Sequence, residues 1–416
     1  MKRKKSVVIL AAVIILAAGA LLAIRYNINK TQNVISLTDR QKEEDFSYLC
    51  RMLDDSWPFW ADTGLTEQEK AEIYEKYRRQ AVRSDTDIEF FKTIDNFLGE
   101  FGGRGHLGRL DGWMYGVYIS ALESGDKIIS REEEKNISRQ KRVLNSPACR
   151  KLYSMLDKSH PGFRSLAGLK EEYKNTETAT VASFPEIESE ISGEYAYLKI
   201  SSFDLSCYDR NKEILENFFA DVKDVPNLII DIRENSGGSD IYWQDLLVIP
   251  NAKTNLSFER YFLLKDSDTI KDYADTLGVA VHDTDSLPQP LAERYADRFE
   301  LFTVDKSDFR QAADPYPGKI YLLTGNKVYS AAENFAMMCK NTSFATLVGE
   351  NTGGDGGMAD PLLTALPHSG LIIRFSAFYG LNRDGSGNEA TSTRPDIVVN
   401  NGQDALQLCK DIISGS

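Results

Sequence analysis

A serine at the junction of a strand and a helix is the residue best suited to chemistry in this sequence. Ser330 follows the apolar segment Ile320 to Leu323, which has the pattern of a buried strand, and precedes a helix that begins at Ala331. Such a junction exposes the hydroxyl, and the unpaired N–H groups of the first helical turn stabilise negative charge on a carbonyl oxygen. Ser330 and Glu333 also have the spacing of a helix capping box. The segment therefore predicts either a nucleophile or a cap.

Two adjacent glycines follow a second buried strand. Gly237 and Gly238 come shortly after the apolar segment Leu228 to Ile232. Paired glycines let a backbone N–H approach a ligand closely, so they are suited to donate to an oxyanion. A tight turn explains the pair equally well. A third cluster, Gly353 to Gly357, lacks the Gly-Lys-Ser/Thr ending of a phosphate-binding loop, and we predict a structural bend there.

An alternation of strands and helices must position these segments. Beyond Gly193 the predicted elements are a strand at Tyr195 to Ile200, a helix marked by Ile214, Phe218 and Val222, strands at 228–232 and 320–323, a helix at Ala331 to Cys339, and strands near Leu347 and at Leu371 to Phe375. Short apolar strands that alternate with helices indicate an α/β core. The segment from Asp266 to Pro315 is polar and irregular, and is predicted to be a lid or an insertion.

The region before Gly102 has the pattern of a small helical domain. Capping-box pairs begin three segments, at Thr38 with Gln41, Thr66 with Glu69 and Thr86 with Glu89. Apolar residues recur at helical spacing in two sets, which are Phe46, Leu49, Cys50, Leu53 and Phe90, Ile94, Phe97, Leu98, Phe101. The glycine-rich segment Gly102 to Gly108 is predicted to be a flexible loop.

The amino terminus has the pattern of a membrane anchor. Four basic residues, 2–5, precede Ser6 to Ile24, an uncharged run of nineteen residues. As a helix this run would reach about 28 Å, roughly the thickness of a bilayer's hydrocarbon core. The basic cluster predicts that the rest of the chain lies outside the cytoplasm in a single-pass protein of the cell membrane. The small residues Ala17 to Ala20 leave open a cleaved signal peptide, which would make the protein secreted.

Composition narrows the classes of function. The formal net charge of −13 disfavours a nucleic-acid partner, because backbone phosphates would be repelled. The five cysteines have no Cys-x-x-Cys spacing, and the four histidines form no His-Glu-x-x-His motif. We therefore expect no metal and no cofactor. Oligomeric state cannot be predicted.

Several segments in the same order resemble the S41 family of serine peptidases, which includes carboxyl-terminal processing proteases and the tricorn core protease. The resemblance runs from about Asp45 to Val399. Its most specific pieces are Asn227 to Gly238, Tyr329 to Glu333, Val348 to Gly353 and the Pro395-Asp396 segment, with Tyr197 to Phe203 matching a strand that leads into the core. The resemblance implies a crotonase/ClpP-like α/β catalytic core and peptide or protein substrates.

The resemblance also implies how the serine is activated. One branch uses a lysine some two dozen residues beyond the nucleophile, but no lysine lies between Lys340 and Lys410. The tricorn-like branch uses a histidine after the helical domain and a glutamate six residues before the Pro-Asp motif, and these positions hold His106 and Glu389. The implied site is Ser330, His106 and Glu389, with oxyanion donors at Ala331 and at Gly237 or Gly238. The relay serine of the tricorn protease has no evident equivalent, since Gly105 precedes His106, and no clear PDZ module is present.

These expectations divide the chain into four parts. They are the basic tip and anchor (1–30), the helical domain (31–110), a mixed connecting region (111–190) and the catalytic core (191–416). The predicted function is hydrolysis of peptide bonds through an acyl-enzyme. A catalytically silent peptide- or lipid-binding protein on the same fold is the alternative, and hydrolysis of a non-peptide ester or amide is a third.

Overall fold

The computed structural model describes residues 35–112, 114–116, 118–119, 131–155, 187–400 and 402–415. The predicted anchor lies outside these residues. Within the described part of the chain, no helix is both long enough and apolar enough to cross a bilayer. The anchor therefore stays a prediction.

Helices and strands alternate along most of the described chain. The helices are α1 (Asp39–Ser56), α2 (Glu67–Arg83), α3 (Asp87–Gly99), α4 (Arg131–Leu144), α5 (Pro147–Met155), α6 (Tyr208–Asp221), α7 (Asp240–Trp243), α8 (Asp268–Leu277), α9 (Leu291–Tyr295), α10 (Ala331–Thr342), α11 (Asn388–Thr391) and α12 (Ala405–Ser414). The strands are β1 (Gly108–Arg109), β2 (Ile187–Ile191), β3 (Ala196–Ile200), β4 (Asn227–Asp231), β5 (Leu256–Leu264), β6 (His282–Asp283), β7 (Leu301–Phe309), β8 (Lys319–Thr324), β9 (Thr346–Gly349), β10 (Leu362–Ala365), β11 (Ile372–Phe375), β12 (Tyr379–Gly380) and β13 (Ile397–Val398).

The predicted N-terminal helices are confirmed. Both halves of the capping box are present at Thr38 and at Thr66. Thr86 accepts the N–H of Glu89, but the Glu89 side chain accepts the N–H of Asp85 instead, so the third box is only half formed. The predicted apolar faces are buried, except for a partly exposed Cys50. Their core is continuous with side chains from β5, β7, β10 and β11, so the helices pack on the antiparallel sheets.

A six-stranded sheet in the order β13-β9-β8-β4-β3-β2 forms the centre of the α/β core. All neighbouring pairs are parallel except β2 with β3. Helices α6 and α10 pack on one face and α12 on the other, which explains why both faces of these strands are apolar. The predicted alternation is confirmed, although Ile214 is exposed because α6 buries Leu215 and Phe218.

Two smaller antiparallel sheets complete the fold. Their strand orders are β12-β5-β7-β6 and β1-β11-β10, so the predicted strand at 371–375 lies outside the parallel sheet. The prediction of an irregular segment from Asp266 to Pro315 is wrong, because it contains α8, α9 and a nine-residue strand, β7, paired along its whole length with β5. Alternating exposure in β7 gives that strand the polar composition that suggested a loop.

A buried carboxylate connects the N-terminal helices to the β10–β11 hairpin. Asp45 of α1 is fully buried and accepts the backbone N–H groups of His368 and Ser369, each at 2.8 Å. Both donors lie in the turn between β10 and β11. Because β11 pairs with β1, this contact also supports the segment that follows His106.

We expect Asp45→Ala to lower the free energy of unfolding by about 2 to 4 kcal/mol, since it leaves one buried and one partly buried N–H group without acceptors. Denaturant unfolding of the part of the chain that follows residue 34 measures this loss. Asp55→Ala is the matched control, because Asp55 is an exposed residue of the same helix. Equal stabilities of the two variants would contradict the role assigned to Asp45.

Candidate active site

Ser330 lies in the sharp turn between β8 and α10. Its backbone has φ 57° and ψ −125°, a sparsely populated conformation that costs a side-chain-bearing residue roughly 1 to 3 kcal/mol. The side chain is partly buried, and its Oγ makes no hydrogen bond with any described residue. The capping-box interpretation of Ser330 is therefore wrong, and the hydroxyl is uncommitted.

Glu333, the supposed partner in that capping box, faces the interior. Its Oε1 accepts the Asn388 side-chain amide at 2.7 Å and the Thr393 hydroxyl at 2.6 Å. Burial raises the pKa of this carboxyl. Glu333 thus joins α10 to the segment that carries Glu389.

The paired glycines lie close to Ser330 and its neighbours in the chain. A Cβ at Gly237 would lie 3.0 Å from the Cβ of Ser330 and 2.8 Å from the Tyr329 carbonyl oxygen, so only glycine fits there. The Gly237 N–H donates to Asn235 Oδ1 at 2.8 Å. The N–H groups of Gly238 and Ala331 have no acceptor among the described residues. Of the three predicted oxyanion donors, Gly238 and Ala331 are therefore available and Gly237 is committed.

The segment that carries His106, predicted to be a flexible loop, contains defined secondary structure. A short 3₁₀ turn, Arg104–His106, holds Gly105 and His106 at φ 56° and 55°. The Gly105 carbonyl accepts the Ser376 N–H at 2.6 Å, and a Cβ at Gly105 would lie 2.1 Å from the Phe59 ring. Pairing of β1 with β11 follows immediately. Close packing around Gly105 therefore fixes the backbone of this turn.

Both nitrogens of the His106 ring have partners. Nδ1 accepts from a guanidinium nitrogen of Arg374 at 3.2 Å, and Nε2 lies 3.3 Å from Asp355 Oδ2. Because arginine only donates, the neutral ring carries its proton on Nε2, the nitrogen that faces Asp355. The ring also packs edge-on against Tyr329, with ring centroids 4.9 Å apart. It makes no hydrogen bond with Ser330 Oγ or with Glu389 in the described structure.

Asp355 and Glu389 form a pair of carboxylates beneath the histidine. Asp355 accepts the Ser376 hydroxyl at 2.8 Å, and the Tyr329 hydroxyl lies 3.4 Å from a carboxylate oxygen of each acid. The Gly105 N–H lies near Glu389 and opposes the effect of burial by lowering the pKa of this carboxyl. The structure thus brings Glu389 to the turn that carries His106, whereas Asp355 is the acid that contacts the ring.

Burial sets the protonation states of Asp355, Glu389 and His106 at neutral pH. It raises the pKa of Asp355 to about 6, and burial together with the nearby charge of Asp355 raises the pKa of Glu389 to about 8. Burial and the positive charge of Arg374 lower the pKa of His106 to about 3. At neutral pH the ring is therefore uncharged, Asp355 is ionised and Glu389 carries a proton.

Sequence reasoning missed three residues of this site. Asp355 lies in the glycine cluster that was interpreted as a structural bend, and Tyr329 and Arg374 had no local signal for a role. The one available signal for Asp355 was its position 25 residues after Ser330, near the place where the lysine of the other branch is expected. The residues brought together are Ser330, Ala331, Gly237 and Gly238 at the turn, and His106, Asp355 and Glu389 around Tyr329.

Comparisons with known proteins agree with this fold. Residues 194–399 match the model of peptidase family S41. A structure assigned as a peptidase from Parabacteroides merdae ATCC 43184 shares 18% identity, with 91% of this chain and 97% of that chain covered and a TM-score of 0.53. Mature CPAF in complex with lactacystin shares 14% identity, with 92% and 100% covered and a TM-score of 0.52. A second structure of mature CPAF shares 14% identity over 87% and 93% of the two chains, with a TM-score of 0.51.

At these identities the solved structures show a common fold. No curated protein matches the sequence. The family match covers the strand, turn and helix that hold Ser330, and also both carboxylates and Arg374. The chain belongs to peptidase family S41 and is a serine peptidase.

Proposed function

We propose that this protein is a membrane-anchored peptidase that hydrolyses peptide bonds outside the cytoplasm through a Ser330 acyl-enzyme. The observation that carries the proposal is the uncommitted hydroxyl of Ser330 on a strained turn, beside the free N–H groups of Ala331 and Gly238. Strain at such a turn and unpaired donors at a helix start are costs that a catalytic role explains.

The reaction proceeds in two halves. Ser330 Oγ attacks the carbonyl carbon of the peptide bond while His106 takes the hydroxyl proton, and the N–H groups of Ala331 and Gly238 bind the oxyanion. The C–N bond breaks as His106 returns the proton to the leaving amine. Water then attacks the ester with His106 again acting as base, which releases the acid and restores Ser330.

In this proposal Asp355 and Glu389 together support the histidine, and each does so in a different way. Asp355 orients the ring through Nε2 and stabilises the imidazolium that forms during each half-reaction. Glu389 lies near the Gly105 N–H and shares the Tyr329 hydroxyl with Asp355, which fixes the turn that carries His106. The Ser-His-Glu arrangement implied by the resemblance is thereby extended by one acid.

One observation favours the alternative of a catalytically silent binding protein. Both ring nitrogens of His106 are occupied, so no base contacts Ser330 in this conformation. Catalytic hydrogen bonds often form only once substrate is bound, which is why we prefer the enzyme. The following experiment separates the two.

A fluorophosphonate probe should label Ser330 in the wild-type ectodomain. Labelling should disappear in Ser330→Ala and slow by at least about 100-fold in His106→Ala, because the serine loses its general base. Mass spectrometry of the labelled peptide and the rate of labelling are the measurements. His282→Ala, which alters an exposed histidine of β6, is the control and should label at the wild-type rate. A labelling rate that is the same in His106→Ala as in wild type would overturn the catalytic assignment.

The pH dependence of the labelling rate should distinguish the roles of Asp355 and Glu389. Glu389 has a raised pKa, about 8, so it is a neutral acid below that pH and an anion above it. Glu389→Gln should therefore label at close to the wild-type rate at pH 7 and fall behind above pH 8, where wild type gains a second negative charge beside the imidazolium. Asp355→Asn should slow labelling at least about 100-fold at pH 7, because it removes the charge that stabilises that imidazolium.

Labelling rates from pH 6 to pH 10 measure both effects. If Glu389→Gln proved as slow as Asp355→Asn at pH 7, the glutamate and not the aspartate would be the orienting acid. The same profile for His282→Ala controls for general effects of pH on the probe.

We propose that residues 6–24 anchor the full-length chain with its catalytic part outside the cytoplasm. Ile14→Arg combined with Ile15→Arg should abolish retention in carbonate-washed membranes, since each charge at a bilayer centre costs about 2.5 to 3.5 kcal/mol on insertion scales. Ile14→Leu with Ile15→Leu should be retained like wild type. A mature chain that begins near Ala17 to Ala20 would instead identify a cleaved signal peptide.

A further inference from the structure

A buried asparagine connects three segments of the candidate site. Asn334 lies one turn beyond Ser330 on α10, and its backbone N–H donates to the Ser330 carbonyl at 3.0 Å. Its side chain is buried, and the amide nitrogen donates to both carboxylate oxygens of Asp240, at 2.8 and 3.1 Å, and to the Gly357 carbonyl at 2.8 Å. Both hydrogens of the amide are therefore used.

An arginine fixes the orientation of this amide. Arg260 of β5 is buried, and its guanidinium donates to Asn334 Oδ1 and, at 2.6 Å, to Asp305 of β7. Because arginine only donates, the amide oxygen must face Arg260 and the amide nitrogen must face Asp240. A charged donor on the oxygen polarises the amide, which strengthens the hydrogen bonds that its nitrogen donates.

Asp240 connects this network to the proposed oxyanion site. It is the first residue of α7 and lies two residues after Gly238, whose N–H is free. Its carboxylate also accepts the Trp243 indole N–H at 2.9 Å. Burial raises the pKa of Asp240 to about 6, so the group is ionised at neutral pH and accepts these bonds as an anion.

The backbone that leads to Asp240 is held at both ends. Phe203 fixes its start, since the Phe203 N–H donates to the Gly237 carbonyl at 2.9 Å and the Phe203 carbonyl accepts the Ser239 N–H at 3.0 Å. The contact of Asp240 with α10 fixes its end. Gly238 lies between the two, so its N–H is held in place without being used in a hydrogen bond to a described residue.

The same amide supports the loop that carries Asp355. Gly357, which accepts the second amide hydrogen, lies two residues beyond Asp355. A Cβ at the intervening Gly356 would lie 2.9 Å from Asn334 Oδ1, so a side chain there would displace the amide. The loop therefore packs directly on α10, and Asp355 is held where it faces His106.

We propose that Asn334 is a positioning residue for the peptidase reaction, and that through Asp240 it sets where the Gly238 N–H lies relative to Ser330. The inference rests on the proposed function, in which that N–H binds the oxyanion. A misplaced donor weakens binding of the tetrahedral intermediate more than binding of the peptide, because the negative charge is present only in the former. The loss should therefore fall on kcat and leave KM nearly unchanged.

Steady-state kinetics of the full-length protein test the proposal, with a peptide that wild type cleaves in a mixed peptide library. Asn334→Ala should lower kcat about 10- to 100-fold, as expected for a small displacement of a group in the site, and should change KM less than about 3-fold. Asn251→Ala is the matched control and should keep the wild-type kcat. Asn251 is also a buried asparagine, and it donates to the Leu247 carbonyl at 2.9 Å and accepts the Tyr316 N–H at 3.3 Å.

A boronic acid built on the same peptide measures the oxyanion site directly. Ser330 Oγ adds to the trigonal boron as its proton passes to His106, and the boron becomes a tetrahedral anion that mimics the intermediate. Asn334→Ala should bind this inhibitor about 10- to 100-fold more weakly than wild type. The uncleaved peptide should bind equally to Ser330→Ala with and without Asn334→Ala. Equal affinity of wild type and Asn334→Ala for the boronic acid would overturn the proposal.

Exchange of donor and acceptor tests the contact between Asn334 and Asp240. Asn334→Asp alone places two carboxylates together and should lower kcat at pH 8 at least as much as Asn334→Ala, since the two charges repel. Adding Asp240→Asn restores one donor and one acceptor and should recover kcat about 10-fold. A double variant that is as slow as Asn334→Asp would contradict Asp240 as the residue through which Asn334 acts.

Hydrogen exchange separates failure of this inference from failure of the proposed function. Backbone amides of residues 236–243 and 353–358 should exchange at least about 10-fold faster in Asn334→Ala than in wild type, and at the wild-type rate in Asn251→Ala. That result with no turnover by wild type would sink the enzymatic proposal and retain Asn334 as the residue that holds the Gly238 segment. Turnover by wild type with an unchanged kcat in Asn334→Ala would do the reverse.

Discussion

The arrangement of the site depends on one buried carboxylate, that of Glu333. It lies in the first turn of α10, directly after Ser330, and binds Asn388 and Thr393, which lie on either side of Glu389 in sequence. Asn388 in turn accepts the Gly356 N–H at 2.8 Å, beside Asp355. Three segments that are far apart in the chain are thus held at one point. A buried acceptor without its donors would be costly, so this contact also selects against alternative packings.

The site is a compact set of charges in a poorly solvated place. Asp355, Glu389 and His106 all contact Tyr329, and Arg374 reaches the ring of His106. Burial moves the pKa of Asp355, Glu389 and His106 in the direction of the neutral form. Only one of the two acids is ionised at neutral pH, and that single charge faces the imidazole. A neutral histidine with an ionised acid beside it is the protonation state that a general base requires.

The antiparallel sheets connect the N-terminal helices to this chemistry. β1 begins two residues after His106 and pairs with β11, which carries Arg374, and Asp45 of α1 supports the turn that precedes β11. The position of the histidine relative to the serine is therefore set by contacts between the N-terminal helices, the hairpin and the parallel sheet. The local structure of the turn at Gly105 could not set this relative position by itself.

The sequence by itself determined the elements whose signals are local. Strand and helix periodicities located the parallel sheet, and capping residues located the starts of α1 and α2. The strand-to-helix turn and the glycine pair made Ser330, Ala331 and Gly237 or Gly238 the candidate site residues. These features depend on neighbours within a few residues, where propensity and spacing carry the information. Polar alternation in β7 was the exception, because a half-exposed strand resembles a loop in composition.

Tertiary structure alone decided which side chains meet. The sequence offered Glu389 as the acid for His106, but packing brings Asp355 to the ring and Glu389 to the backbone of Gly105. Packing also engages the N–H of Gly237 with Asn235 and leaves the N–H of Gly238 free. It brings the Arg374 guanidinium to Nδ1 of His106. Such pairings join residues separated by tens to hundreds of positions, and their geometry follows from strand register and burial, for which a single sequence carries no local pattern.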